Sequence, residues 1–114
     1  MSQTVARGQV YWVELDPVHG AEIAKTRPCV VLSAEEVNQH RRTVIVVPLT
    51  TTKAPAVPPL LLAVPSMGAD SKARIEHIRS VEKSRLKPLI GEIGDAGLAA
   101  VEAALRRILR LPQQ

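Results

Sequence analysis

The sequence predicts a small, mainly β domain that ends in a single amphipathic helix. Short apolar runs rich in β-branched residues recur as far as Ile93, and breaks between them contain proline, glycine or polar residues. From Asp95 onward the apolar residues instead follow helical spacing. Five to seven strands and one helix are packed most simply as a curled sheet or small barrel with the helix against it.

Two strand candidates lie in the N-terminal third, separated by a long loop. Residues 9–15 (QVYWVEL) combine β-branched and aromatic side chains, and Asp16-Pro17 ends the run because proline removes a backbone donor. Residues 18–26 are predicted to form a loop, and ordered loops of this length often carry function. Arg27-Pro28 opens the second run, which covers residues 29–33.

The middle of the chain predicts one short helix and three more strands. Residues 34–40 form the helix candidate, with Ser33 as its cap. Residues 43–49 (TVIVVPL) give the strongest strand pattern, with Pro48 near its end. Residues 60–64, within a proline-rich stretch, predict an edge strand, and residues 73–81 predict a polar, partly alternating strand.

The C-terminal part predicts a short apolar strand over residues 90–93 and then the helix. Asp95 is the predicted helix cap. Alanines raise the helix propensity, and arginines in the last turns suit the helix dipole. The apolar stripe consists of Leu98, Val101, Leu105, Ile108 and Leu109.

Length and composition exclude several classes of protein. A chain of 114 residues with 46% apolar residues fits one folded domain over residues 1–114. One cysteine excludes an internal disulfide framework, and 2% aromatic residues exclude RNA recognition by a row of stacking rings. No secretory signal or membrane-length apolar run is present, so we expect a cytoplasmic protein that does not enter membranes.

Polar residues at strand ends are the candidates for chemistry. The three histidines lack metal-ligand spacing and no phosphate-binding glycine loop is present, so we expect no metal and no cofactor. Arg27 precedes one strand, and Thr50, Thr51 and Thr52 follow another. A guanidinium beside hydroxyl groups suits a phosphate. The alternative is a surface ion pair and a hydrogen-bonded turn, and the net charge of +4 favours nucleic acid only slightly.

Three segments, in order, resemble the MazF/PemK family of toxins: residues 7–33, residues 46–52 (VVPLTTT) and residues 77–86 (HIRSVEKSRL). The resemblance extends over nearly the whole chain. It implies a small SH3-like barrel, a homodimer and a cognate acidic antitoxin. It also implies a metal-independent, sequence-specific endoribonuclease that cleaves single-stranded RNA and leaves 2′,3′-cyclic phosphate and 5′-hydroxyl ends, that is, an mRNA interferase of a type II toxin–antitoxin system.

The resemblance implies that Arg27 and Thr50 are the catalytic pair. Arg27 would hold the phosphate and stabilise the transition state, and Thr50 would donate a hydrogen bond to the same oxygens. A guanidinium is a poor base at neutral pH, so the general base stays open, with His19, Glu22 and His77 as candidates. The expected RNA-binding residues are His19, Glu22, Lys25, Thr26, Thr51, Lys53, His77 and Arg79.

The sequence departs from the family pattern at three positions. His77 replaces the usual glutamine, and Lys72 and Arg74 stand where apolar residues are more common. These departures concern the RNA sequence that is recognised, not the catalytic pair. Two other functions remain open: a non-catalytic toxin of the same fold that acts on a protein such as gyrase, and a basic module that binds RNA without cutting it.

Overall fold

The computed structural model describes residues 4–15 and 26–112, and within them seven strands and two helices. The predicted loop over residues 18–26 therefore lies almost wholly outside the described residues. The helices are α1 (Glu35–His40) and α2 (Asp95–Leu109). The strands are β1 (Gln9–Glu14), β2 (Thr26–Val31), β3 (Thr43–Thr51), β4 (Leu61–Ala63), β5 (Ser71–Arg74), β6 (Arg79–Glu82) and β7 (Leu86–Glu92).

The strands form one antiparallel sheet in the order β4-β5-β3-β2-β1-β7, with β6 also paired to β3. The long strand β3 changes partner along its length. Its first half pairs with β6, from Thr43 to Val46, and its last three residues pair with β5. The mainly β prediction is confirmed, and in the described residues β4 and β7 end the strand order without pairing to each other.

Both faces of the sheet are buried, which explains why β1 to β3 are apolar almost throughout. Successive side chains of a strand point to opposite faces, so Val30 and Val31 belong to different core clusters. One cluster packs against α2 through Val101 and Ala104. The other is covered by Val81 of β6 and by residues from both ends of β1 and from β7.

The C-terminal helix packs as predicted along most of its stripe. Val101 is buried, and Leu98, Leu105 and Ile108 pack against the first cluster, whereas Leu109 is 52% exposed, so its predicted place on the stripe is wrong. The helix ends at Arg110, which adopts a left-handed conformation with φ of 57°. An ion pair between Arg7 and Glu102 ties the N-terminal segment to this helix.

Two predicted helix caps are wrong. Ala34 occupies the cap position of α1 without a side-chain hydrogen bond, and Gly94, with φ of 87°, occupies that of α2. Asp95 is instead the first residue of α2. Ser33 is buried and engaged elsewhere: its hydroxyl donates to Asn38 Oδ1 at 2.5 Å and accepts from the Ile45 amide at 3.0 Å.

The prediction of one strand over residues 73–81 is also wrong. The segment divides into β5, a 3-10 turn over Ile75–His77, and β6. Ile75 is fully buried in that turn, and its amide donates to the Leu60 carbonyl at 2.9 Å. Because β5 and β6 pair with different parts of β3, the chain must bend between them.

We expect Asn38→Ala to lower the free energy of unfolding by about 2 kcal/mol, because buried hydrogen-bonding groups would lose their partner. Asn38 is 3% exposed, and its amide also donates to the Ser33 carbonyl at 2.9 Å. Urea denaturation measures the loss. Gln39→Ala, at an exposed position of the same helix, should change stability by less than about 0.5 kcal/mol. Equal effects of the two substitutions would contradict the role of Asn38.

Candidate active site

A cavity of about 510 Å³ opens where β1, β2 and β3 approach the turn between β5 and β6. Leu15 and Pro48 give it an apolar floor, since both are buried. Among the residues that the structure describes, the rest of the lining carries charged or ionisable groups: three guanidinium groups, one imidazole and one carboxylate. These side chains are Arg27, Arg74, Arg79, His77 and Glu76.

The strand register places the two predicted catalytic residues on one face of the sheet. Cys29 pairs with Pro48 in the β2–β3 ladder. Directly paired residues point to the same face, and so do residues two positions further along each strand. Arg27 lies two positions before Cys29, and Thr50 lies two positions after Pro48, so both side chains point to this face. On the same argument Arg79, which pairs with Val46, also points to this face.

The environment of Cys29 agrees with this arrangement of two of the arginines. Burial raises the pKa of the Cys29 thiol from an ordinary 9.0 to about 12, while the positive charges of Arg79 and Arg27 both act to lower it. The thiol also lies 3.7 Å from the Arg27 carbonyl oxygen. The guanidinium groups of Arg27 and Arg79 therefore act on the same small region of the sheet face.

We expect Cys29 to be inert toward thiol reagents in the folded protein and reactive in urea, because only the thiolate is nucleophilic. Folding favours the neutral thiol, because its pKa is higher in the folded than in the unfolded protein. Below pH 9 the thiol therefore does not oppose folding, and the free energy of unfolding falls as the pH rises from 9 toward about 12. Labelling with iodoacetamide tests the first point. Comparison with Cys29→Ala over pH 8–11 tests the second, and identical pH dependence in both proteins would contradict it.

The structure brings three of the predicted site residues to the cavity. Arg27 and Arg79 are half-buried there, and His77 is exposed at its edge. Thr50 is half-buried and shares the face of Arg27 but does not line the cavity. His19, Glu22 and Lys25 lie outside the described residues.

Three other predicted RNA-binding residues lie away from the cavity. Thr26 is exposed and pairs with Glu14, and Thr51 is exposed and points to the face opposite Thr50. Lys53 is exposed as well, and its ammonium group lies 3.4 Å from Asp70 Oδ2.

Sequence reasoning did not assign Arg74 or Glu76 to the site, although both line the cavity. Arg74 was identified as a departure from the family pattern and, with Lys72, as one of several basic groups that could form a nucleic-acid surface. Its alternation with Ala73, which is fully buried, would have indicated a side chain on the face opposite the first core cluster. Arg74 reaches the cavity only because the chain bends after β5, and the prediction of one continuous strand over residues 73–81 did not include that bend.

No three His, Cys, Asp or Glu side chains come together as metal ligands within residues 4–15 and 26–112. In the same part of the chain, neither helix is long and apolar enough to span a membrane.

The fold and the site define a class of small β domains that carry an arginine-rich cavity beside the central strands. A family model described as PemK-like, MazF-like toxin of type II toxin-antitoxin systems matches residues 6–109. The chain belongs to this family.

Relatives and solved structures agree with that membership. The chain is 37% identical over 113 residues to the endoribonuclease MazF9 of Mycobacterium tuberculosis (strain ATCC 25618 / H37Rv), which covers 92% of this chain and 96% of the relative. A mycobacterial endoribonuclease solved with its cognate antitoxin has a TM-score of 0.77 at 27% identity, covering 99% and 100% of the two chains. A MazE–MazF structure from Deinococcus radiodurans, at 24% identity, shows the same fold with a TM-score of 0.80 over 97% and 100%.

Proposed function

We propose that this protein is a toxin that cleaves single-stranded RNA at specific sequences without a metal ion. The observation that carries the proposal is the convergence of Arg27 and Arg79 on one cavity, on the sheet face that also presents Thr50. A volume of about 510 Å³ falls within the ~300–1,000 Å³ that is typical of small-ligand sites. The named relatives are endoribonucleases.

The proposed reaction is an internal transesterification. The ribose 2′-oxygen attacks its own phosphorus and loses its proton, and the bond to the 5′-oxygen of the next nucleotide breaks as that oxygen gains a proton. A 2′,3′-cyclic phosphate and a 5′-hydroxyl result. Negative charge accumulates on the non-bridging oxygens, so fixed cationic donors there lower the barrier.

Each described residue has a role that its position supports. Arg27 holds the phosphate with two parallel N–H donors, which a planar guanidinium provides. Thr50 donates its hydroxyl to the same oxygens. Arg79 supplies a second positive charge. His77 contributes an imidazole to the cavity lining and is the candidate for proton transfer among the described residues.

Glu76 and Arg74 are placed to contact the bases or phosphates of a strand that enters the cavity. A carboxylate accepts hydrogen bonds from exocyclic amino groups, whereas a guanidinium binds phosphate or guanine. Unpaired bases are accessible to such groups, because a single strand can turn them outward. These two residues therefore contribute to the choice of sequence.

We further propose a homodimer and an acidic antitoxin as partners, acting in the cytoplasm where the RNA is. A similar solved structure contains an endoribonuclease with its cognate antitoxin. An acidic segment that folds on binding would pair with the arginines of the cavity and exclude RNA.

The test is incubation of antitoxin-free protein, verified as folded, with a long single-stranded RNA in EDTA, followed by mapping of the ends. Discrete cuts with 5′-hydroxyl and cyclic phosphate ends are expected. The same RNA with 2′-O-methyl groups should stay intact, because its internal nucleophile is blocked. Intact unmodified RNA would overturn the proposal and favour a gyrase-directed toxin or a binding module, which a supercoiling assay and a binding assay would separate.

A further inference from the structure

Lys72 is a buried lysine on β5. It is 8% exposed, and its ammonium group donates to the Thr52 carbonyl oxygen at 2.9 Å. An ammonium group has three donors, and this is the one hydrogen bond that the Lys72 side chain makes within the described part of the chain. The nearest acidic group along the strand, Asp70, is instead in an ion pair with Lys53.

A mostly buried lysine side chain whose ammonium group has no carboxylate partner among the described residues is unfavourable for folding, because its charge loses part of its hydration. An apolar side chain of similar size at this position would be expected to give a more stable folded state. The charge at Lys72 therefore points to an anionic ligand that supplies the missing partner.

The register places this charge beside Thr50. Lys72 and Thr50 are directly paired in the β3–β5 ladder, and paired residues have Cβ atoms only about 5 Å apart on the same face. From there the ammonium group reaches along β3 to the carbonyl of Thr52. Its fixed position thus lies at the end of β3 that carries the threonines.

The order of the strands puts Lys72 and Arg27 on opposite sides of Thr50. Strand β3 lies between β2 and β5, so Arg27 approaches the face of Thr50 from the β2 side and Lys72 from the β5 side. A phosphate bound at the Thr50 hydroxyl would be flanked by both cations. Neutralisation from two sides suits a group whose charge is shared among several oxygens.

We propose that Lys72 is a further phosphate-binding residue of the site, which holds the RNA phosphate at Thr50 together with Arg27. The proposal rests on the proposed function, because the anion is the backbone of the RNA substrate. Lys72 takes no part in bond making or breaking and contributes a positive charge and hydrogen-bond donors only.

Three substitutions separate charge from a purely structural role. Lys72→Gln keeps a donor for the Thr52 carbonyl and removes the charge, Lys72→Met removes both, and Lys72→Arg keeps the charge. Lys83→Met is the control: Lys83 follows Glu82, which pairs with Thr43 at the other end of β3. Each protein is tested for kcat and KM in EDTA, for thermal unfolding, and for the salt dependence of binding to a 2′-O-methyl RNA that contains the cleavage site.

The glutamine and methionine variants should both lose kcat by about 100-fold, the effect of removing one fixed donor to the transition state. The slope of log affinity against log salt should fall by about 0.7, the value for one phosphate contact on a single strand. Thermal unfolding should occur at the wild-type temperature or higher. The arginine variant should retain most activity, and Lys83→Met should match the wild type.

Other outcomes overturn the proposal in distinguishable ways. Wild-type rates and slopes in all Lys72 variants would exclude a phosphate contact while leaving the endoribonuclease intact. Activity retained by Lys72→Gln but lost together with thermal stability in Lys72→Met would show that the lysine only tethers the Thr52 carbonyl. Wild-type protein that neither cuts nor binds RNA would overturn the proposed function, and the role of Lys72 with it.

Discussion

Arg27→Ala should lower the rate of RNA cleavage by about 1,000-fold, because the cavity would lose its bidentate phosphate donor. The side chain is half-buried beside an apolar floor, where a fixed charge acts more strongly than it would in water. Single-turnover cleavage in EDTA with saturating enzyme isolates the chemical step. The folded state should survive the substitution, since alanine relieves the site of one of several like charges.

Two control variants separate the role of the guanidinium group at Arg27 from a general effect of removing positive charge. Arg27→Lys keeps the charge and loses the planar pair of donors, so its rate should fall between those of the wild type and of Arg27→Ala. Arg107→Ala removes an exposed arginine from the last turn of α2 and should leave the rate unchanged. A rate in Arg27→Ala within tenfold of the wild type would exclude Arg27 from the catalytic pair.

Ile75→Ala should lower the free energy of unfolding by about 3–4 kcal/mol, through lost burial and the cavity that remains. Ile75 has no exposed surface and lies in the first core cluster, although its backbone belongs to a turn and not to a strand. Urea denaturation at constant pH measures the change. Ile75→Val should lose only about 1 kcal/mol.

The same substitution at Ile45 provides the comparison. Ile45 is on β3 but is 38% exposed, so its truncation should destabilise the fold much less. Because Glu76 and His77 directly follow Ile75 in the turn, folded Ile75→Ala protein should also cleave RNA more slowly. Equal losses of stability at Ile75 and Ile45 would show that the turn does not anchor the core.

The fold was predictable where the pattern of apolar residues is local. The run of residues 43–49 indicated β3, and the stripe from Leu98 to Ile108 indicated α2, because each periodicity reflects a buried face. The bend after Arg74 was not predictable in this way. Ile75 is as buried as a strand residue, and only the separate pairings of β5 and β6 with β3 show that the chain turns there.

The residues of the site were likewise predictable only where they belong to a local motif. Arg27, His77 and Arg79 were identified from contiguous motifs, and the structure places all three at the cavity. Arg74 and Glu76 join them only because the chain bends. The significance of Lys72 required the register between β3 and β5. For residues that enter a site through long-range pairing, the local sequence does not show which groups they will lie beside.

The burial of both sheet faces has a practical consequence for handling the protein. Helix α2 packs on the cluster that contains Val30, whereas the cavity continues the opposite face, where Cys29 lies. A fluorophore, affinity tag or surface linkage at the C-terminal end of α2 is therefore attached on the sheet face opposite Cys29, although the helix also contacts the turn Ile75–His77, two of whose residues line the cavity. Immobilising the protein through that end should leave the arginines facing solution, ready to meet RNA or an antitoxin in a binding experiment.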